Sequence, residues 1–118
     1  MKGLSAERIA RNDSVFRDAN EQIEMKAREL HFAEDEALPF ICECADRSCT
    51  TILQLTLVQY EEVREDSRQF LNALGHDRAE GAVEVMHRNH SYLVVRKSGR
   101  AGEVADELDP RRGGRANG

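Results

Sequence analysis

The decisive stretch of this sequence is PFICECADRSCTTILQL, residues 39–55, which contains all three cysteines of the chain. Two runs rich in strand-forming residues, 39–44 and 49–55, are separated by four residues with turn character. Extended runs joined by a short polar loop are typical of a β-hairpin. The sequence therefore predicts a hairpin that carries a cysteine cluster at its closed end.

The spacing of the cysteines predicts a metal site. Side chains alternate along a strand, so Cys42 and Cys44 point to the same face, and Cys49 lies across the loop from Cys44. Zinc prefers four thiolate or imidazole ligands in a tetrahedron. The fourth ligand that we favour is His76, because Gly75 before it allows the chain to turn toward the hairpin. The alternatives for that position are His31, His87 and His90.

Thiol redox chemistry, in a sensor or an enzyme that uses the same three cysteines, is the main alternative. A redox centre needs a thiol with a lowered pKa, which positive neighbours or a helix N-terminus provide. The cluster instead contains Glu43 and Asp46 against a single Arg47, and acidic neighbours disfavour the thiolate. Three thiolates and one imidazole leave no open position for a substrate, which indicates a structural zinc and no enzyme activity.

The segment before the hairpin predicts one long helix over residues 5–30. It contains no Gly or Pro, and Ser5 is a suitable N-cap. Its apolar residues recur every seven positions, which indicates a narrow seam that either lies across the body or serves self-association or the binding of a protein partner. The seam consists of Ile9, Phe16, Ile23 and Leu30.

The chain after the hairpin predicts short helices and strands. A capping box of Thr56 and Gln59 begins a helix that ends near residue 66. Residues 70–74 and 91–97 are expected to form strands, and residues 82–87 a short helix.

The order of these elements predicts an α+β fold with a long N-terminal helix, a cysteine-bearing hairpin and a small, mostly antiparallel sheet with short helices. The fold is expected as a single zinc-stabilised domain over residues 1–100. Residues 101–118 lose apolar content, and we expect them to form a disordered tail.

Composition limits the classes of function. The chain has 118 residues, of which 40% are hydrophobic and 5% aromatic, and its formal net charge is -5. A metal crosslink would stabilise such a thin aliphatic core.

An acidic chain is a poor partner for nucleic-acid phosphates, so a nucleic-acid-binding zinc module that uses the arginine-rich tail is kept only as an alternative. The chain has neither a signal-peptide pattern nor a membrane-length apolar run, so we expect a cytoplasmic protein without membrane association.

Short motifs along the chain carry a resemblance. They are Arg11-Asn12-Asp13-Ser14-Val15-Phe16-Arg17 with Asn20-Glu21, Phe40-Ile41-Cys42-Glu43-Cys44 with Cys49-Thr50, Leu55-Thr56-Leu57 with Tyr60-Glu61, Gly75-His76, Tyr92-Leu93-Val94-Val95 and Asp109-Pro110-Arg111. On these motifs the chain resembles a family of small uncharacterised bacterial proteins, and the resemblance covers about residues 6–112. The resemblance implies no activity, but it implies that the three cysteines and Gly75-His76 form one unit. The chain departs from the family at Leu74, where a proline is expected.

These observations favour a non-enzymatic zinc-binding module with a regulatory role. Cys42, Cys44, Cys49 and His76 are the expected ligands of a structural zinc ion. The long N-terminal helix is the candidate surface for an unidentified protein partner, because it is the longest element and its apolar seam is narrow.

Overall fold

The computed structural model describes residues 6–44, 46, 48–76 and 83–111, and its fold is α+β, as predicted. The elements in chain order are α1 (Ala6–Glu29), β1 (Leu38–Ile41), β2 (Ile52–Leu55), α2 (Leu57–Val63), β3 (Gln69–Asn72), β4 (Val83–Arg88), β5 (Leu93–Lys97) and α3 (Gly99–Glu107). The strands form two antiparallel sheets, one of β1 and β2 and one in the order β3-β5-β4. Within the described ranges, no helix has both the length and the apolar character needed to cross a membrane.

The predicted hairpin is formed by β1 and β2, which pair antiparallel over four residues each. One further hydrogen bond, from the Cys42 N–H to the Thr51 carbonyl at 3.0 Å, extends the ladder toward the loop. The buried Phe40 ring of β1 stacks on Tyr60 of α2, with ring centroids 4.4 Å apart. The paired strands are shorter than the predicted runs 39–44 and 49–55, so Cys42, Cys44 and Cys49 lie in the loop beyond the strands and not on them as expected. The aromatic contact holds the paired strands against the core.

Helix α2 begins with the predicted capping box. The Thr56 hydroxyl accepts a hydrogen bond from the Gln59 N–H, and the Gln59 side chain accepts one from the Thr56 N–H. These bonds satisfy backbone donors that a helix start leaves unpaired. Leu57, Tyr60 and Val63 are buried on one face, as expected from their spacing. The helix ends at Val63, three residues before the predicted end.

The short helix predicted over residues 82–87 is wrong for residues 83–87, which belong to β4, and residue 82 lies outside the described residues. This strand pairs antiparallel with β5, with Glu84 opposite Arg96 and Arg88 opposite Leu93. The alternation Val83-Glu84-Val85 has the period of a strand, and β5 offers a free edge with which it pairs. The strands predicted on either side are confirmed as β3 and β5, which pair antiparallel with each other.

The disordered tail predicted over residues 101–118 is also wrong where the structure describes it. Residues 99–107 form α3, whose Ala101, Val104 and Ala105 are buried. Ala101 and Val104 pack with Ala10 of α1. Small apolar residues at helical spacing form one face of the helix that packs against α1, although the mean hydropathy of the segment is low. Residues 112–118 of the predicted tail lie outside the described residues.

The segment after α3 is fixed by ion pairs. The Arg111 guanidinium lies within 2.6–3.1 Å of carboxylate oxygens of Glu21, Glu24 and Glu61. Burial opposes ionisation of Arg111, but these carboxylates outweigh it, so its pKa rises. The contacts join the C-terminal end of the described chain to both α1 and α2.

The inward face of α1 differs from the predicted apolar seam. The buried positions include Asp13, Arg17, Asn20 and Glu24, whereas Leu30 of the predicted seam is 59% exposed. The remaining seam residues Ile9, Phe16 and Ile23 are only half-buried. A helix can bury polar residues when each finds a partner. The predicted N-cap Ser5 lies outside the described residues.

One buried ion pair joins α1 to the three-stranded sheet. Lys97 of β5 contacts the Asp13 carboxylate, and the side chains of both residues are 1% exposed. Burial lowers the pKa of Lys97 and raises that of Asp13 to about 6. The Lys97 ammonium also lies 5.5 Å from the centre of the Phe70 ring, and the Arg17 guanidinium lies 4.6 Å from it. The Lys97–Asp13 ion pair therefore adds a buried charged contact to the apolar packing of Ala10 and Ala27 on the same helix.

Candidate metal centre

Four potential metal ligands converge from three segments of the chain. Cys42 and Cys44 follow β1, Cys49 precedes β2, and His76 follows β3. Their ligand atoms all lie within 4.8 Å of one another. The His76 Nδ1 is 3.5 Å from the Sγ atoms of both Cys42 and Cys49. All three cysteines are free of disulfides, so this arrangement is suited to a metal ion.

A turn at the end of β3 directs His76 toward the cysteines. The His76 N–H donates to the Ala73 carbonyl at 3.0 Å, and Gly75 between them has φ = 83°. A positive φ at the third position of a turn favours glycine, because a Cβ would be strained there. The Ala73 N–H in turn donates to the Cys42 Sγ at 3.2 Å. The same turn therefore positions the imidazole and supplies a hydrogen bond to a thiol.

The loop before Cys49 is shaped by Asp46. Its carboxylate accepts hydrogen bonds from the N–H and the hydroxyl of Ser48, at 2.9 and 2.6 Å. The Cys49 N–H donates to the Asp46 carbonyl at 2.9 Å. An aspartate that bonds to the backbone two residues later is a common turn former. Asp46 therefore has a conformational role in bringing Cys49 back toward Cys44.

The thiols differ in how easily they ionise. Burial raises the pKa of Cys42 and of Cys44. Burial also opposes ionisation of Cys49, but hydrogen bonds with Thr51 outweigh it, and the pKa of Cys49 falls. A reactive redox pair needs easily formed thiolates, whereas a bound cation deprotonates buried thiols by its own charge. Cys49 is therefore the thiol that ionises most readily, whereas the ionisation of Cys42 and Cys44 is opposed unless a cation lies beside them.

Glu43, between the first two cysteines, is fully buried and fastens the cysteine loop to β3. Its carboxylate accepts from the Leu71 N–H at 2.8 Å, and its own N–H donates to the Leu71 carbonyl at 2.7 Å. Burial raises the pKa of the Glu43 carboxyl to about 7. Because Leu71 lies on the strand that leads to His76, these bonds set the position of the cysteine loop relative to the imidazole.

Asn20 of α1 holds the same loop from the other side. Its side-chain amide donates to the Ile41 carbonyl at 2.8 Å and accepts from the Ile41 N–H at 2.9 Å. The amide nitrogen also donates to the Glu43 carboxylate at 2.7 Å. A single buried side chain therefore pairs with both backbone groups of Ile41 and positions Glu43 as well. Partners of this kind orient metal ligands in many proteins.

The other histidines lie apart from the cluster. His31, His87 and His90 are exposed, in a turn after α1, on β4 and in the β4–β5 turn. Across the part of the chain that the structure describes, the four residues above are the only group of three or more Cys, His, Asp or Glu side chains that are placed to hold a metal ion. His76 is thus the imidazole that the fold brings to the thiols.

Sequence reasoning brought the same four side chains together but missed Asn20 and Glu43. The sequence suggests that Glu43, an acidic residue between two cysteines, is exposed. Only the fold shows that Leu71 and Asn20 lie next to its carboxylate. Comparison of the chain with protein families, with curated proteins and with solved structures found no match. The function must therefore be argued from the geometry of this site and the chemistry of its four side chains.

Proposed function

We propose that Cys42, Cys44, Cys49 and His76 bind one Zn²⁺ ion and that the protein is a zinc-stabilised, non-enzymatic module. The observation that carries the proposal is the pair of 3.5 Å distances from the His76 Nδ1 to the sulfurs of Cys42 and Cys49. With zinc bonds of about 2.3 Å to sulfur and about 2.0 Å to nitrogen, a tetrahedral site has a sulfur–nitrogen edge of about 3.5 Å. The His76 nitrogen thus already lies at the spacing of a zinc ligand from two of the three sulfurs.

A zinc ion at this position would have a structural role. It would join the loop of the two-stranded sheet to the turn that follows β3 of the other sheet. Three sulfurs and one nitrogen complete a tetrahedron and leave no coordination position for a substrate. Structural zinc contributes its binding free energy to folding, about 10–16 kcal/mol in zinc-finger peptides. Such a contribution is valuable in a chain with only 5% aromatic residues.

The wider role that we propose is regulatory and acts through protein contacts. Free cysteines arranged as metal ligands are typical of a reducing compartment such as the cytoplasm. The formal net charge of -5 favours protein contacts over nucleic-acid contacts. The outer face of α1 is the surface that we assign to such contacts, since it is the longest exposed helical face.

The proposal is tested by measuring the metal content of the untagged protein purified under reducing conditions. We expect one zinc per chain by elemental analysis. Removal of the metal with a strong chelator should then unfold the chain, because a closed zinc site and the fold depend on each other. Unfolding is followed by circular dichroism, and added zinc should reverse it.

Three results would overturn the zinc proposal. Iron with sulfide would indicate a cluster, since thiolate-rich tetrahedral sites also suit iron–sulfur chemistry. A chain without metal and with a reversible disulfide would favour the thiol redox alternative. A chain that stays folded and unchanged in chelator would remove the structural role even if zinc were present.

We expect Glu43→Gln to lower zinc affinity about 10-fold to 100-fold, the range found for partners of metal ligands. The two Glu43 oxygens accept from two donors, the Asn20 amide and the Leu71 N–H. A glutamine has one oxygen and one NH₂ group, so it would place a donor against a donor at one of these contacts. Competition against a chromophoric zinc chelator measures the change.

The matched control is Glu36→Gln, which makes the same change at an exposed carboxylate in the α1–β1 connection. It should leave zinc affinity within about twofold of the native value. A Glu43→Gln variant that binds zinc as tightly as this control would show that the contacts of Glu43 do not position the cysteines.

A further inference from the structure

Six side chains form a continuous line on the outer face of α1, on the side away from the buried positions of that helix. They recur with the spacing 4, 3, 4, 3, 4, and every one is exposed. Val15 and Met25 in this line are 58% and 52% exposed, although both are large and apolar. The line, which we call the outer stripe, consists of Arg11, Val15, Asp18, Gln22, Met25 and Glu29. Alternating steps of three and four residues are the spacing of a coiled-coil seam.

The outer stripe is complementary to itself. If two copies of α1 pair antiparallel about position 20, Val15 faces Met25 of the second copy and Arg11 faces Glu29. The central Asp18 then faces Gln22, which can donate hydrogen bonds to a carboxylate. Two-fold symmetry makes each of these contacts twice. Apolar residues thus meet apolar residues, and each arginine meets a glutamate.

We propose that this face of α1 binds a second copy of the chain as an antiparallel helix pair. Twofold pairing closes on itself, so it gives a dimer and no longer assembly. Arg11 and Glu29 now make exposed pairs within their own helix, with Glu7 at 3.2 Å and with Lys26 at 3.6 Å. Exposed pairs of this kind contribute little, so exchanging them for contacts across the dimer costs little. The proposal rests on the protein contacts proposed above for the outer face of α1 and names a second copy of the chain as the partner, but it does not depend on the zinc site.

The dimer should be weak and reversible. Only two of the six stripe residues are apolar, whereas a stable coiled coil has apolar residues at nearly all seam positions. We therefore expect a dissociation constant on the order of 100 µM. Because two arginine–glutamate pairs contribute, the affinity should fall as salt screens them.

The test is sedimentation equilibrium of the full chain at protein concentrations up to about 1 mM in low salt. The native chain should shift from a mass of 13.3 kDa toward twice that mass. Arg11→Glu or Glu29→Arg alone should weaken the dimer about 10-fold, since like charges then face each other twice. The double variant Arg11→Glu/Glu29→Arg should return to within about threefold of the native affinity, because it restores the pairing with reversed signs.

Two controls make the result specific. Arg88→Glu changes the charge equally at an exposed position of β4, and it should leave the dimer unchanged. Met25→Glu places a carboxylate in the apolar contact and should abolish the dimer up to about 1 mM. Circular dichroism and zinc content of the same samples separate a failure of folding or of the zinc proposal from a loss of pairing. A native chain that stays monomeric, or a double variant no better than the single ones, would overturn the dimer proposal.

Discussion

The Cys42→Ser variant is expected to bind zinc at least about 100-fold more weakly than the native chain, beyond the range found for partners of metal ligands. Cys42 is the most enclosed of the three thiols, because it lies against His76 and accepts the Ala73 N–H. A serine hydroxyl is a poor zinc ligand that is not deprotonated as readily as a thiol, and the softer sulfur is the donor that zinc prefers. The loss should appear in competition with a chromophoric chelator.

The same variant should lose stability, since ligand binding to the native state contributes to the free energy of unfolding. His90→Ala is the control, because His90 is exposed and lies outside the cluster. It should retain the native zinc affinity and the native unfolding midpoint. Native-like zinc binding by Cys42→Ser would mean that Cys42 is not a ligand, and the proposed Cys₃His set would then be wrong.

The Lys97→Met variant is expected to destabilise the protein by about 3–5 kcal/mol, the cost of removing one partner from a buried ion pair. Methionine keeps most of the apolar stem of Lys97 but removes the ammonium that contacts Asp13. The Asp13 carboxylate would then be buried without its partner. Urea unfolding of the zinc-saturated protein measures the change in the free energy of unfolding.

The double variant Asp13→Leu/Lys97→Met removes both charges, so it distinguishes the cost of one unpaired buried charge from the contribution of the ion pair itself. An apolar pair of similar volume is often neutral or stabilising in place of buried charges, so most of the lost stability should return. Both variants should retain the native zinc stoichiometry, because neither residue belongs to the ligand set. A single variant that costs less than about 1 kcal/mol, or a double variant no more stable than Lys97→Met, would contradict the role of this pair.

The parts of the fold that the sequence predicts are those with local signals. The hairpin follows from two strand-forming runs around a short loop, and α2 follows from the Thr56–Gln59 capping box. The turn that carries His76 follows from Gly75, which adopts the positive φ that this turn requires. In each case a few neighbouring residues determine the conformation.

The parts that the sequence does not predict depend on distant partners. The seven-residue apolar period of α1 suggests an inward seam, yet Asp13, Arg17 and Asn20 are buried because Lys97, Phe70 and Glu43 meet them from later segments. The helix α3 has only small apolar residues on its buried face, and their signal is weak until α1 covers them. The strand β4 forms because β5 lies beside it. The burial of polar side chains and the pairing of β4 with β5 thus depend on contacts that exist only in the assembled fold.

The most direct test of the central claim is X-ray absorption at the zinc edge of the purified native protein. A site formed by Cys42, Cys44, Cys49 and His76 predicts three sulfur neighbours at about 2.3 Å and one nitrogen neighbour at about 2.0–2.1 Å. A shell made mostly of nitrogen or oxygen, or a protein that contains no stoichiometric zinc, would contradict the account.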